Sequence, residues 1–354
     1  MNYNNIFVWL LGCWILIRIV YGEYRTTENK YVQKKINCVY ALLAFLPIIY
    51  IVVFGPMQGD VPVYIYNYKN LPEKWTDIVL YIKTLDNSYL FWTISIIIKK
   101  ISGANTTAFR LVIALLQSVP VIYIYRKYSD SYLLSLYLFV TSAIPIAWMM
   151  NGIRQFTAVT LIFAATSLVL KKDYKKVIII ILIATLIHQT AIIMLPIVFI
   201  AQGKAWNKKT LALIAIAIML VYVFTSKSGA YESFMETAGV AKEVYVTDDG
   251  TNPLRVLVNF VPVILAFIGR KMVEKDDIPI INMSVNMSII SFGIYLISMV
   301  TSGIMVGRVP IYMSLYNFIL LPYLIKRIFT YDSYRVILGF VIVFYGLYYY
   351  VQYV

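Results

Sequence analysis

The sequence predicts an all-α, polytopic membrane helical bundle with about ten full spans. Three observations lead to this fold class. The 354 residues are 61% hydrophobic and only 14% charged, and their mean hydropathy is +0.76. A soluble domain of this length could not bury so much apolar surface. Apolar runs of about 18 or more residues recur along the chain, and each is long enough for a helix to cross a bilayer.

The apolar segments are taken in chain order. The first, 5–21, has no basic segment before it and no small-residue cleavage site, so it is predicted to be a span rather than a cleaved signal. All spans are assigned to a single integral membrane domain, 1–354, whose longest polar stretches, 56–87 and 226–252, are predicted outer loops. The remaining predicted spans are 37–55, 107–125, 132–149, 153–170, 210–225, 254–269, 280–301, 309–325 and 336–353.

Two further apolar segments are ambiguous, and basic residues decide between their alternatives. Segment 88–100 is short and ends in two lysines, and segment 175–200 is either one long helix or a hairpin bent near His188. If 88–100 is a short outer half-helix and 175–200 is a bent hairpin, 20 of the 31 basic residues lie on inner loops. Cytoplasmic loops carry such an excess, which favours this arrangement. A bend inside a membrane must be buried in protein or line a wet cavity, which points to a site.

Three arginines mark the starts of helices that enter the membrane from the outer face: Arg154, Arg255 and Arg308. A cation there opposes the helix macrodipole, which favours an anion at a helix N-terminus. Three such conflicts indicate a bound anion, and a guanidinium fork suits phosphate. The alternative is that each arginine reaches the lipid headgroups or pairs with a carboxylate. Asn151 and Asn252 are predicted N-caps of two of these helices.

His188 is the only histidine in the chain, and the predicted bend brings it to the outer face. It is a candidate base or hydroxyl-orienting group, and the alternative is a buried histidine bonded to a backbone carbonyl. Asp60, Tyr64 and Tyr68 recur at four-residue spacing, which places them on one helix face. Aromatic rings beside a carboxylate suit a sugar, whereas the alternative for Asp60 is an N-cap.

Other chemistries have no motif in the sequence. Cys13 and Cys38 lie in or beside apolar spans and suggest neither a disulfide frame nor a metal site. No phosphate-binding loop, dinucleotide fingerprint or metal-ligand cluster occurs, so no cofactor and no metal are expected. The net charge of +14 is assigned to the cytoplasmic loops rather than to nucleic-acid binding, since no soluble basic face is predicted.

Five short stretches follow one another over most of the chain: GD-x-x-x-Y-x-x-x-Y at 59–68, IRQFTAVTLIFAA at 153–165, ATLIHQTAIIMLP at 184–196, Arg255 before an apolar run, and Gly-Arg at 307–308. Together, and in matching order, they resemble the EpsG-type branch of the Wzy-like polysaccharide polymerases. Members of that branch often carry an acidic residue before the third apolar segment, where LDNSYLFW offers only Asp86, so no role is assigned at that position.

The resemblance implies a glycosyltransferase of the bacterial cytoplasmic (inner) membrane, multi-pass and with its active site facing outward. Its donor and acceptor would be undecaprenyl-diphosphate-linked oligosaccharides, with the growing glycan passing from its lipid diphosphate to the non-reducing end of a new unit. A chain-length regulator and a flippase are the expected protein partners. The assigned residues are Arg154, Arg255 and Arg308 for the diphosphate, His188 or, second, Asp60 as the base, and Tyr64, Tyr68 and Gln155 for the sugar.

Three other classes of protein remain open alternatives. A ligase resembling O-antigen ligase would use the same lipid diphosphate with a different acceptor. A flippase or transporter would bind the same headgroup without chemistry, and it would show inverted repeats and polar residues near the bilayer midplane. An outer-face acyltransferase would need a base, but not three arginines at one level.

Overall fold

The computed structural model describes residues 3–20, 24–25, 31–32, 36–57, 59–85, 87–226, 229–237 and 250–353. Within these ranges nearly all regular structure is helical, which confirms the predicted all-α class. The exception is an antiparallel pair of two-residue strands, β1 (Tyr24–Arg25) and β2 (Tyr31–Val32). The chain divides into two compact units, 1–195 with 340–354 and 196–339. The assignment to one integral membrane domain stays a prediction.

The first unit is built around α6, whose start is fixed by Asn105. The Asn105 side chain accepts hydrogen bonds from the backbone N–H groups of Thr107 and Ala108, which supplies partners for two N–H groups that the helix cannot satisfy itself. Helix α6 packs against α2 and α9, and α9 packs in turn against α11. The helices are α1 (Tyr3–Val20), α2 (Cys38–Phe54), α3 (Val61–Lys69), α4 (Trp75–Lys83), α5 (Tyr89–Ser102), α6 (Thr106–Tyr128), α7 (Tyr132–Thr141), α8 (Ile144–Asn151), α9 (Ile153–Ala164), α10 (Thr166–Leu170) and α11 (Tyr174–Ile187), followed by a 3-10 helix (Gln189–Ile193).

The second unit is centred on α17, a long helix whose polar residues are buried. Serines and asparagines such as Ser284, Asn286 and Ser291 face the interior of the unit rather than its surface. Helix α17 packs against α13, α15 and α19, so its whole circumference is nearly covered. The remaining helices are α12 (Met194–Ala201), α13 (Lys208–Ser226), α14 (Ala230–Thr237), α15 (Pro253–Ile268), α16 (Arg270–Asp276), α17 (Pro279–Met299), α18 (Ile311–Ser314), α19 (Asn317–Ile328) and α20 (Tyr331–Tyr353), whose residues from Phe340 onward belong to the first unit.

Five of the described helices are long and apolar enough to cross a membrane, or up to seven segments if each of two bent pairs forms one span. The predicted count of about ten is therefore not confirmed. One bent pair falls inside the predicted span 132–149, where α7 and α8 meet at 66°. Pro145 lacks the N–H that would bond to the Thr141 carbonyl, and Ala143 has a φ of +63°, so one straight helix cannot form.

The predicted span 309–325 is also interrupted. Helix α18 ends at Ser314 and α19 begins at Asn317. Between them the N–H groups of Tyr316 and Phe318 bond to carbonyls three residues back rather than four. This tighter pattern is that of a 3-10 turn, and it separates the two helices.

The apolar segment 175–200 is interrupted at His188, where the bend was predicted, while the chain reversal of a hairpin stays a prediction. Helix α11 ends at Ile187, and His188 is extended with φ −151° and ψ 121°. The 3-10 helix that follows packs against both α11 and α9, and α12 then continues the chain. The predicted half-helix 88–100 corresponds to α5, while the side of the membrane on which either segment lies stays a prediction.

Candidate functional site

Arg154 lies in the first turn of α9, where its half-buried guanidinium is held by three neutral oxygens. Its Nε donates to the Tyr64 hydroxyl at 3.3 Å. Its Nη1 donates to the Ser88 hydroxyl at 3.1 Å and to the Asn87 side-chain oxygen at 3.4 Å. No described carboxylate pairs with it, and Asp86 lies outside the described residues. Among the described residues, the guanidinium is thus oriented by neutral groups that do not compensate its positive charge.

Two tyrosines line the surroundings of this guanidinium. The ring of Tyr64 lies 5.8 Å from the Arg154 guanidinium carbon and also contacts Phe91 edge-on at 6.0 Å. Tyr64 is therefore fixed from both sides, and its quadrupole favours the cation above it. Burial raises the pKa of the Tyr81 hydroxyl, while the nearby charge of Arg154 acts in the opposite direction. Tyr81, from α4, therefore lies within electrostatic range of Arg154.

Ser88 adopts a backbone conformation that a non-glycine residue rarely takes. Its φ is 61° and its ψ is 32°, in the left-handed region, and its side chain is 2% exposed. Ser88 precedes α5 without capping it, because its hydroxyl donates to Asn87 at 2.9 Å and accepts from Arg154. Such strain costs about 1–3 kcal/mol and is typically found at binding sites. The structure therefore adds Asn87 and Ser88 to the site; the only sequence signal was their polar pair directly before an apolar helix.

Gly59 brings the start of α3 against the end of α8. Its φ is +58°, and a Cβ at this position would overlap the side-chain oxygen of Asn151. The prediction that Asn151 caps the next helix is wrong, because Asn151 is the last residue of α8 and Gly152 occupies the cap position. The Asn151 side chain packs on Gly59 instead. This contact couples the Gly-Asp motif to the turn that carries Arg154.

Asp60 is exposed and occupies the position before α3, but its carboxylate accepts no capping hydrogen bond. The N-cap alternative is therefore not supported. No described residue forms a side-chain hydrogen bond or ion pair with it, so the carboxylate is open to an incoming hydroxyl. It follows Gly59, which places it beside the Asn151 contact at the Arg154 turn.

All three residues assigned to sugar binding are buried. Tyr68 is fully buried, with its ring stacked on Phe109 at 4.4 Å and its hydroxyl 3.1 Å from that of Ser102. Gln155 is 3% exposed on the inward face of α9. Tyr64 is 9% exposed, and of the three it is the one whose hydroxyl contacts Arg154.

His188 ends α11 with its ring half-buried. Its Nδ1 lies 2.8 Å from the Thr190 hydroxyl, so the ring is bonded to a side chain. A ring held through Nδ1 keeps a fixed orientation, which a base requires. Helix α11 packs along α9, so His188 and Arg154 are carried by neighbouring helices.

Arg110 is a buried arginine of the first unit, and no sequence pattern assigned it a role. Its Nε donates to the Val52 carbonyl at 3.0 Å and its Nη2 to the Gly55 carbonyl at 3.2 Å. These are carbonyls at the C-terminal end of α2, which a cation stabilises. Arg110 also lines a small apolar recess together with Tyr64, Ile153 and Met150.

The second unit contains Arg255 and Arg308. Asn252 caps α15, since its side chain accepts from the Leu254 N–H at 2.8 Å, and Pro253 is the first helical residue, which confirms the predicted cap. The half-buried Arg255 guanidinium has no hydrogen bond or ion pair with any described residue. Arg308 is exposed in the turns before α18.

Close backbone packing joins the segments that carry these two arginines. A Cβ on Gly307, the residue before Arg308, would overlap the Thr251 hydroxyl. Thr251 is itself anchored on Ser298, through its N–H to the Ser298 carbonyl at 3.0 Å and through the two hydroxyls at 2.8 Å. The starts of α15 and of the turns bearing Arg308 are therefore adjacent. The predicted convergence of both arginines with Arg154 stays a prediction.

Comparison with known proteins gives one family match. Residues 36–354, nearly the whole chain, match the model of the EpsG family. No curated protein and no solved structure matches the chain.

Proposed function

The chain belongs to the EpsG family of Wzy-like polymerases, and from this premise we propose its reaction. It polymerises undecaprenyl-diphosphate-linked oligosaccharide repeat units at the outer leaflet of the bacterial cytoplasmic membrane. The growing glycan passes from its lipid diphosphate to the non-reducing end of a new unit. The family supports the role of a polysaccharide polymerase, and the geometry around Arg154 supports a diphosphate-linked donor.

The proposed step exchanges one bond for another. A hydroxyl oxygen of the acceptor sugar forms a bond to the anomeric carbon of the donor, and the bond from that carbon to the diphosphate oxygen breaks. The hydroxyl proton passes to a base, and the lipid diphosphate leaves with the bonding electrons. Charge develops on the leaving oxygen, so cations placed there lower the barrier.

The observation that carries the proposal is how Arg154 is held. Long hydrogen bonds of 3.1–3.4 Å to neutral oxygens of Tyr64, Asn87 and Ser88 orient the guanidinium and do not neutralise it. A phosphate would bring a negative charge that none of the described residues in contact with Arg154 carries, and it would form shorter, charge-assisted bonds. Arg255 has no partner among the described residues and offers a similar cation in the second unit. It is also proposed to contact a phosphate group.

Two residues remain candidates for the base. Asp60 is supported by its exposed carboxylate, which has no hydrogen bond or ion pair with any described residue and lies beside the Arg154 turn. His188 is supported by a ring oriented through Thr190, at the break between α11 and the 3-10 helix. The position of the acceptor hydroxyl decides between them, because a base must lie within hydrogen-bond reach of the proton that it removes.

The test is polymerisation by purified protein in detergent with an undecaprenyl-diphosphate oligosaccharide, alone and with its chain-length regulator. We expect wild type to give a product ladder and Arg154→Lys, which keeps the charge but loses the fork, to give none. Arg270→Lys is the matched control, because Arg270 is exposed and paired with Glu274 in α16. A normal ladder from Arg154→Lys would refute the assigned site. Lipid binding without any ladder from wild type would favour a transporter.

A further inference from the structure

Gln117 joins the two helices that form the most extensive packing interface of the first unit. It is fully buried in α6, facing α9. Its Nε2 donates to the Ile153 carbonyl and to the Thr157 hydroxyl, both at 3.2 Å. These two residues lie one turn apart on α9, on either side of Arg154 in the sequence. The amide therefore contacts the same helical turn that presents the guanidinium.

The orientation of the Gln117 amide follows from its neighbours. The Thr157 hydroxyl donates its one proton to the Ile153 carbonyl at 2.8 Å, so it has none left for Gln117. Both partners are therefore acceptors, and the amide nitrogen must face them. The amide oxygen Oε1 is left buried with no hydrogen-bond partner among the described residues.

An unpaired buried acceptor weakens the fold. A methionine has nearly the same length and shape, and it would fill the same space without a group that needs a partner. The Ile153 carbonyl would still be bonded by the Thr157 hydroxyl. Gln117 is thus a poor choice for stability, and residues that break a local rule in this way are expected at functional positions.

We propose that Gln117 is a positioning residue for Arg154. Its hydrogen bonds to Ile153 and Thr157 fix how the first turn of α9 is rotated and how closely it packs against α6. The direction of the Arg154 guanidinium follows from that placement. The Arg154 contacts of 3.1–3.4 Å are already near the limit of a hydrogen bond, so a small rotation of α9 would lose them. This inference rests on the proposed binding of a lipid diphosphate by Arg154.

The experiment compares Gln117→Met with a change in the same interface. Thr160→Val is the matched control, because the Thr160 hydroxyl also lies between α6 and α9, 3.5 Å from the Leu116 carbonyl, one turn further from Arg154. Binding of undecaprenyl diphosphate in detergent micelles and the midpoint of thermal unfolding are measured for each variant. We expect Gln117→Met to bind about tenfold more weakly with an unchanged or higher midpoint, and Thr160→Val to bind as wild type.

A structural role would lower both quantities together, and that result would overturn the inference, as would normal binding by Gln117→Met. Gln117→Asn keeps the amide but has a side chain one methylene shorter, so this variant should also bind undecaprenyl diphosphate more weakly. It replaces Gln117→Met in the comparison if the methionine variant does not fold.

A double variant separates this inference from the proposed function. If Gln117 acts through Arg154, adding Gln117→Met to Arg154→Lys should weaken binding no further. A second, independent tenfold loss would contradict the positioning role. Weak binding by Arg154→Lys with normal binding by Gln117→Met would refute only the role of Gln117, whereas normal binding by Arg154→Lys would refute the diphosphate site itself.

Discussion

Replacement of Gly59 by alanine tests the contact that joins α3 to the Arg154 turn. Two costs are expected. The left-handed conformation, with φ +58°, costs an L-residue about 1–2 kcal/mol. The new methyl group would also overlap the end of the exposed Asn151 side chain, which would have to adopt another conformation at a cost of about 0.5–1.5 kcal/mol. We therefore expect Gly59→Ala to lower the free energy of unfolding by about 1.5–3.5 kcal/mol.

Gly103→Ala isolates the first of these costs. Gly103 ends α5 with a φ of +64°, and a Cβ there would meet nothing within 4 Å. Gly103→Ala should therefore lower the free energy of unfolding only by the conformational cost, about 1–2 kcal/mol. The difference between the two variants then measures the contact with Asn151. Asn151→Ala, combined with Gly59→Ala, should recover that difference and leave the conformational part.

The assay is unfolding in detergent together with length of the polymer product. Because Asn151 lies three residues before Arg154, Gly59→Ala should shorten the product, Gly103→Ala should not, and Asn151→Ala should restore length to the Gly59 variant. Equal destabilisation by both glycine changes, or no recovery in the double variant, would show that Gly59 does not pack against this turn.

Three further predictions concern the base, the topology and the second unit. Replacing the true base, by His188→Ala or Asp60→Asn, should slow polymerisation by about 10²–10⁴-fold with near-normal binding of the donor, and a normal rate would remove that residue from consideration. Single cysteines at 188 and 206, in a protein without its two native cysteines, should react differently with a membrane-impermeant thiol reagent; labelling of 206 from outside would contradict the predicted hairpin. Arg255→Gln should weaken binding of inorganic pyrophosphate, measured at low salt against Arg270→Gln, and equal affinities would favour a headgroup contact for Arg255.

The sequence by itself determined the features that depend on neighbouring residues. Apolar runs predicted the positions of the helices, because the hydrophobicity of a segment does not depend on what it contacts. Asn252 before a proline predicted a helix start, since a cap bonds to backbone groups only two residues away. The break at His188 followed from an excess of basic residues on one side of the proposed membrane.

Only the tertiary structure decided which side chains form the site. Asn151 is of a residue type that commonly caps helices, yet it packs on Gly59, which is far away in the sequence. Tyr64 and Tyr68 share a helix face, but the first lies under Arg154 and the second stacks in the core on Phe109.

Gln117 carried no local signal, and Ser88 only that of a polar residue before an apolar helix, because both contact α9 across 36 and 66 residues of chain. A periodic pattern specifies that a helix has a buried face. Which residues of that face contact a cation, and which fill the core, depends on packing partners that no local pattern identifies.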